Sequence, residues 1–237
     1  MAASILIVKT GSTVPSLIAS RGDFEDFFAE ALGVPVSELE VCDVSRGGTL
    51  PSVERCGPVI ITGSPHTVHE KPDWSERAAE WLREAARRDH PVLGVCYGHQ
   101  LLAHALGGRS HLNPNGREIG TPDVEILEPD PLFEGLPNPL PVFETHSDAV
   151  LEAPPGSRIL ASTSNTPIQA LAVGDRVRSV QWHPEFDADI LRGYVRARHQ
   201  EIDADLGEGT SARLLEEIRE APGCRELLQN FLRLADA

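Results

Sequence analysis

Three short apolar runs, each ending at or beside a glycine, set what this chain can fold into. Ser4 to Lys9 carries Ile5-Leu6-Ile7-Val8 and turns at Gly11, Val59 to Thr62 stops at Gly63, and Val92 to Val95 leads into Cys96. Apolar runs this short, bounded by turns, read as buried strands. Leu39 to Val44 alternates as a further strand. Between the strands lie segments at helical spacing. Asp23 to Leu32 puts Phe24, Phe27, Phe28, Ala31 and Leu32 on one stripe, with Asp23 as the cap. Asp73 is placed to cap a helix running to Arg88, with Trp74, Ala78, Trp81, Leu82 and Ala85 inward and Pro91 beyond its end. A shorter helix from Gly98 to Leu106 stops at Gly107-Gly108. Strands alternating with helices predict a parallel sheet with helices on its faces.

From Arg117 to Trp182 the character changes. Val124–Leu127, Val142–Thr145, Ile159–Ser162, Ile168–Val173 and Val177–Trp182 are short segments separated by Pro and Gly turns, and Gly174-Asp175 reads as a hairpin tip. These are expected as mostly antiparallel additions to the sheet. Helix then returns over Ala188 to Ile202, Ser211 to Glu220 and Cys224 to Leu234, the first two separated at Gly207–Gly209. The expected organisation is an α/β domain over residues 1–186, with a helical extension over 187–237 packed on it.

Composition narrows the possible roles. At one domain per ~150 residues, the 237 residues allow one large domain or one with an appendage, and no linker divides the chain. A chain this long buries ~70–75% of its extended surface and needs no disulfide or metal to hold a core. Lys and Arg number 21 against 36 Asp and Glu, a net charge of −15 that argues against nucleic acid as a main partner. No apolar run exceeds four residues, against the ~20 needed to span a bilayer. The first such run is too short for a signal-peptide core and has no basic segment before it. Cys42, Cys56, Cys96 and Cys224 show no paired spacing, which fits a reduced, cytoplasmic chain.

The chemistry concentrates in three places. Gly94-Val95-Cys96-Tyr97-Gly98-His99-Gln100 sits where a buried strand meets a helix, the logic of a nucleophile elbow with Cys in place of Ser. Its glycines let the chain turn sharply, and the helix N-terminus favours the thiolate. Gln181-Trp182-His183-Pro184-Glu185 follows another strand, so that Glu185 can hold one nitrogen of His183 while the other faces a thiol. Thr62-Gly63-Ser64-Pro65 ends a further strand and can aim a backbone N–H at an anion beside the elbow. All three fall at carboxyl ends of strands, where open α/β sheets place their sites. Metal ligation by Cys96, His99 and His104, or by His66 and His69, lacks the accompanying ligand spacings. His99 and His104 are expected on the helix surface, and His66 and His69 on an exposed loop.

These residues carry a resemblance. The GVCYGHQ elbow and the HPE turn, in that order, are similar to those of the class I glutamine amidotransferases, and the likeness covers most of residues 4–186. Gly63-Ser64-Pro65, Asn115 to Gly120 and His146-Ser147-Asp148 also look like family segments. Among stand-alone forms, the chain resembles the glutaminase half of GMP synthase and γ-glutamyl peptidases.

The resemblance implies a flavodoxin-like three-layer fold and a Cys-His-Glu glutaminase. Cys96 would be the nucleophile, His183 the general base and acid, and Glu185 the orienter. The backbone N–H groups of Tyr97 and of the Gly63-Ser64 loop would form the oxyanion hole. Gln100, with the backbone at Ser147 and Asp148, would hold the α-amino and α-carboxylate groups of glutamine or a γ-glutamyl compound. One departure is Ser64, where the family often has a second glycine. A non-Gly residue is less free to adopt positive φ, so the hole would form differently or only with a substrate or partner. No cofactor is required, and the released ammonia would pass to a separate synthase subunit. The alternatives are a γ-glutamyl peptide hydrolase acting alone and a non-catalytic regulatory or binding module. Arg192, Arg196 and Arg198 are expected to face solvent or a partner, with Tyr194 and Val195 as contacts.

Overall fold

A computed structural model describes residues 4–236. A nine-stranded sheet runs through its centre. In spatial order it contains β2 (Glu40–Asp43), β1 (Leu6–Lys9), β3 (Val59–Ile61), β4 (Val92–Val95), β13 (Val177–Val180), β12 (Ala170–Val173), β11 (Arg158–Ser162), β7 (Asp123–Ile126) and β8 (Leu140–Pro141). The first five are parallel and the rest add antiparallel pairs. Val177–Val180 is therefore a junction strand rather than a purely antiparallel addition: it pairs parallel with β4 and antiparallel with β12, through the Gly174 turn.

Apart from the edge strand β2, the parallel strands are buried on both faces, and their residues divide between two cores at the two-residue period of a strand. Ile7, Ile60 and Leu93 face α2 (Phe24–Leu32), α5 (Ala188–Ala197) and α8 (Gly223–Asp236). Leu6, Val8, Val59, Ile61 and Val92 face α3 (Asp73–Arg87) and α4 (Tyr97–Ala105). The result is a three-layer, flavodoxin-like α/β fold. Among the described residues no helix is long and apolar enough to cross a membrane.

Several boundaries differ from the sequence expectation. Pro72, not Asp73, is the N-cap of α3, and Asp73 opens the helix instead. Val142–Thr145 is not one strand. Leu140–Pro141 pairs with β7, whereas β9 (Glu144–His146) joins β6 (Glu118–Gly120) in a separate ribbon. A second ribbon pairs β5 (Arg109–Leu112) with β10 (Asp148–Glu152). Polar residues dominate β5, and β6 is only Glu-Ile-Gly, so neither shows an apolar alternation. The helix from Ala188 does not continue to Ile202. It breaks at Arg198 (φ −112°, ψ 20°), and α6 (His199–Leu206) turns away to pack on α7 (Thr210–Glu217). Tyr194 and Val195 are buried against the core rather than offered as contacts.

One polar cluster anchors the helix nearest the strand ends. Asp23 caps α2 by accepting from the Phe24 and Thr13 N–H groups at 2.9 and 2.8 Å, while Asp26 accepts from the Asp23 N–H at 2.8 Å. The buried Lys9 ammonium lies 2.7 Å from both Asp23 and Glu25. Burial alone would push the Asp23 carboxyl up, but Lys9 and the backbone donors outweigh it and hold the group below its ordinary 3.8. Asp23→Ala is expected to lower stability by about 2 kcal/mol in denaturant unfolding, through the lost cap and the half-stranded lysine. Because the folded pKa is depressed, that gap is full at neutral pH and shrinks as pH falls below about 3.8.

Candidate active site

Cys96 stands between β4 and α4 with φ 52° and ψ −102°. Among the described non-glycine residues only Lys71 and Asp89 share a positive φ, and such a backbone costs on the order of 1–3 kcal/mol. The turn survives because its surroundings leave it no alternative. The Cys96 N–H donates to Val180 O at 2.9 Å, and the Gln100 N–H donates to Cys96 O at 3.1 Å. A Cβ on Gly94 would lie 2.6 Å from Gly98 O, and one on Gly98 would lie 2.6 Å from Ile61 O. Only glycines let strand and helix approach this closely.

His183 reaches the same place from the next strand. Its N–H donates to Phe143 O at 2.8 Å, and its Nδ1 donates to Glu185 Oε1 at 2.8 Å. The ring is stacked between Phe186, with centroids 4.1 Å apart, and Phe24, at 6.4 Å. Gly63 closes the third side: a Cβ there would sit 2.7 Å from His183 Cε1. Burial opposes a charge on this imidazole, yet Glu185 and then Cys96, by charge and by hydrogen bond, raise its pKa to about 10. The structure thus brings Cys96, His183, Glu185 and Gly63 together.

Ser64 and Tyr97 supply backbone donors beside the sulfur. Among the described residues neither N–H has a protein acceptor, and Tyr97 opens α4, where helix N–H groups have no partner in the helix. Ser64 keeps out of the positive-φ region. Its hydroxyl donates to Thr10 O at 2.7 Å and accepts from the His66 N–H at 3.1 Å, which fixes the loop.

A cavity of about 190 Å³ opens over Cys96, bordered by Ser64, Gln100, Ser147 and Asp148. Gln100 has little donor capacity left for a ligand, because its amide already donates to Asp148 O at 2.9 Å and Gln181 Oε1 at 3.2 Å. Its free oxygen remains an acceptor. On the other side of the sulfur a smaller chamber of about 40 Å³ is lined by Cys96, His183, Thr145 and Tyr194.

Behind the cavity lies a charge cluster that the sequence shows only as separate segments. The His146 Nδ1 donates to Asp148 O at 2.9 Å, and its Nε2 lies 2.6 Å from Glu144 and 3.4 Å from Glu118. The Glu144 contact is an ion pair rather than an aligned hydrogen bond, since neither atom has a bonding partner in good geometry. Burial disfavours the cation, but Glu144 and Glu118 raise the His146 pKa to about 10. Burial in turn pushes the Glu144 carboxyl up, against the pull of His146. These three side chains could in principle converge on a cation. The two carboxylates beside Nε2 instead hold the ring as imidazolium by charge.

Other histidines depart from expectation. His99 is not on the helix surface but fully buried, with Nδ1 at 2.8 Å from Ser179 Oγ and Nε2 at 3.2 Å from Ile168 O. Burial lowers its pKa to about 3. His69 bonds Asp148 Oδ2 at 3.0 Å and stacks on His111, whereas His66 is exposed. Arg198, expected to face solvent or a partner, borders both cavities instead.

Comparison with known proteins gives a consistent picture. The family model described as "Glutamine amidotransferase class-I" matches residues 38–192. The chain is 37% identical over 181 residues to a GMP synthase (glutamine-hydrolyzing) of Aeropyrum pernix, covering 76% of this chain and 32% of that protein. It is 38% identical over 130 residues to one subunit of a GMP synthase (glutamine-hydrolyzing) of Saccharolobus solfataricus, covering 54% of this chain and 66% of that one. It therefore spans about a third of the first relative's length and just under two thirds of the second's. A crystal structure of a glutamine amidotransferase from Thermotoga maritima superposes over 100% of both chains with a TM-score of 0.79 at 23% identity, a likeness of fold.

Glu185→Gln removes the carboxylate next to His183 while keeping its shape. The His183 pKa, followed by NMR, is expected to fall from about 10 towards the ordinary 6.5. A titration still near 10 would show that Glu185 does not set the charge state of the ring.

Proposed function

The chain belongs to the class I glutamine amidotransferases, and from that premise we propose that it hydrolyses the γ-amide of glutamine through a Cys96 thioester and releases ammonia. The observation that carries this reading is the convergence of Cys96, His183 and Glu185 at one buried point, with two unused backbone N–H groups alongside. The helix N-terminus and the facing imidazolium favour the thiolate. The sulfur attacks the amide carbon, and the carbonyl electron pair moves onto oxygen, where the Ser64 and Tyr97 N–H groups hold the charge. Such donors are each worth a few kcal/mol in the transition state. As the tetrahedral adduct collapses, the C–N bond breaks and His183 gives its proton to the departing ammonia. The ring, now neutral, takes a proton from water as the water attacks the thioester, and Cys96 leaves as thiolate. Glu185 keeps His183 in the orientation and tautomer this cycle needs.

The relatives favour glutamine over a γ-glutamyl peptide, since both GMP synthases are named as glutamine-hydrolyzing. A non-catalytic module would have no use for a strained cysteine facing a charged histidine. The names of the two GMP synthase relatives support a synthase as the recipient of the ammonia. In this reading the protein works in the cytoplasm.

Ammonia release from glutamine and from γ-glutamyl dipeptides tests the assignment directly. Cys96→Ala is expected to lower glutamine turnover by at least about 10³-fold, with unfolding unchanged because alanine meets the same positive φ. Retained turnover would defeat the mechanism. The raised His183 pKa also sets a pH signature. A group protonated in the working enzyme is lost as pH rises through its pKa, so kcat/KM is expected to hold through neutral pH and fall near pH 10. An alkaline limb near 6.5 would show that the His183 pKa is not raised, and a rise in kcat/KM through 6.5 would show that the imidazolium is not the active form.

A further inference from the structure

The neutral donors on the main cavity's lining include backbone N–H groups and the buried Thr67 hydroxyl, which has no partner among the described residues. Gln100 offers only its oxygen, and Asp148 carries a carboxylate at the rim. These suit an α-ammonium group and repel an α-carboxylate. Two arginines border the same space, Arg117 and Arg198. Arg117 is already engaged, with Nε donating to Asp205 at 2.8 Å and a second carboxylate, Glu201, at 3.8 Å. Arg198 is different. Its sole carboxylate neighbour among the described residues is Glu201, at 3.9 Å, beyond hydrogen-bond reach, and its side chain is 30% exposed.

The backbone of Arg198 is held even though its head group is free. Its N–H donates to Tyr194 O at 3.0 Å, and its carbonyl accepts from the Ile202 N–H at 3.0 Å. The break between α5 and α6 falls on this residue, and Arg198 borders both cavities that meet at Cys96. A continuous helix would carry the chain past the site.

We propose that Arg198 is the specificity-determining residue that binds the substrate's α-carboxylate in the main cavity, opposite the Gln100 oxygen and Asp148. The assignment rests on the glutaminase reading above and extends it, because the family resemblance gives both ends of the amino acid to Gln100 and the Ser147-Asp148 backbone. The α-carboxylate is the single anionic group of glutamine, so it is the anion Arg198 meets.

Two measurements test it. In steady-state assays, Arg198→Gln is expected to raise KM for glutamine about 10- to 100-fold, the loss expected for one charge-assisted contact, with a smaller effect on kcat. Turnover of 4-aminobutanamide, which is glutamine without its carboxylate, is expected to be equally slow in both proteins. Arg198→Lys restores part of the glutamine affinity, since it keeps the charge but not the planar fork. An unchanged KM, or equal losses on both substrates, would overturn the assignment and leave the glutaminase reading intact. The second measurement needs no turnover: site-resolved alkylation of Cys96 by iodoacetate and by neutral iodoacetamide. Arg198→Gln is expected to slow iodoacetate about tenfold, and to leave iodoacetamide within twofold. Should the unmodified protein release no ammonia from glutamine, the proposed function fails. The alkylation ratio then decides the anion site by itself: a fall upholds it and no change removes it.

Discussion

The pairing of β4 with β13 is the constraint on which the site depends. Val95 stands opposite Val180 in parallel register. One residue further along one strand is Cys96, and three residues further along the other is His183. The Cys96 N–H bonds Val180 O, so the ladder itself reaches the turn. A slip of one residue would send every β13 side chain to the opposite face. His183 would then leave the sulfur, and Val180 would leave the core. Hydrophobic burial on both faces of the strand thus fixes a distance that chemistry needs, with no tether between two distant parts of the chain.

Charge is managed as tightly as register. Two buried histidines carry raised pKa values, one on each side of the sulfur cavity, and each has carboxylates to offset its burial. Isolated charges at such depth are strongly disfavoured, and only paired, hydrogen-bonded ones persist. His183 commits its Nδ1 to Glu185 and keeps the rest of its ring towards Cys96. His146 commits both nitrogens, to Asp148 O and to the two glutamates. The first is therefore free to move a proton, and the second holds β6, β9 and the Asp148 loop together. The same chemical group serves opposite ends because its partners differ.

Much of this was legible in the sequence, for identifiable reasons. The elbow announces itself because a cysteine between glycines at a strand–helix junction has few other uses, and Asp23 caps its helix as its position suggests. The fully buried strands were visible as apolar runs. The polar ribbons around Arg109–Leu112 and Glu118–Gly120 were not, since their stability comes from partners far along the chain. His99 looked like a surface residue because helical spacing does not reveal that strands cover that face of α4; the Ser179 hydroxyl and the Ile168 carbonyl that satisfy the ring lie far away in sequence. Arg198 was the hardest to place. Neither Gly nor Pro marks the break there, and only the packing of α6 on α7 shows that the chain must turn.

The position of Arg198 also resolves a tension between the charge of the whole and the needs of the site. A chain at −15 repels anions at long range. A zwitterion has no net charge to repel, and screening confines the surface field to within about 8 Å at physiological salt. Inside the cleft the nearest groups decide. An acceptor pair at Gln100 and Asp148 faces a guanidinium at Arg198, a dipolar arrangement that matches the two charges of an α-amino acid and disfavours simple anions or cations. The acidic face of α6 contributes by holding Arg117 through Asp205 at 2.8 Å, while Arg198 has only the distant Glu201 carboxylate at 3.9 Å. Under the proposed function, selectivity for a free amino acid would follow from where the last helices place their charges, and the bond-breaking groups would belong to the sheet.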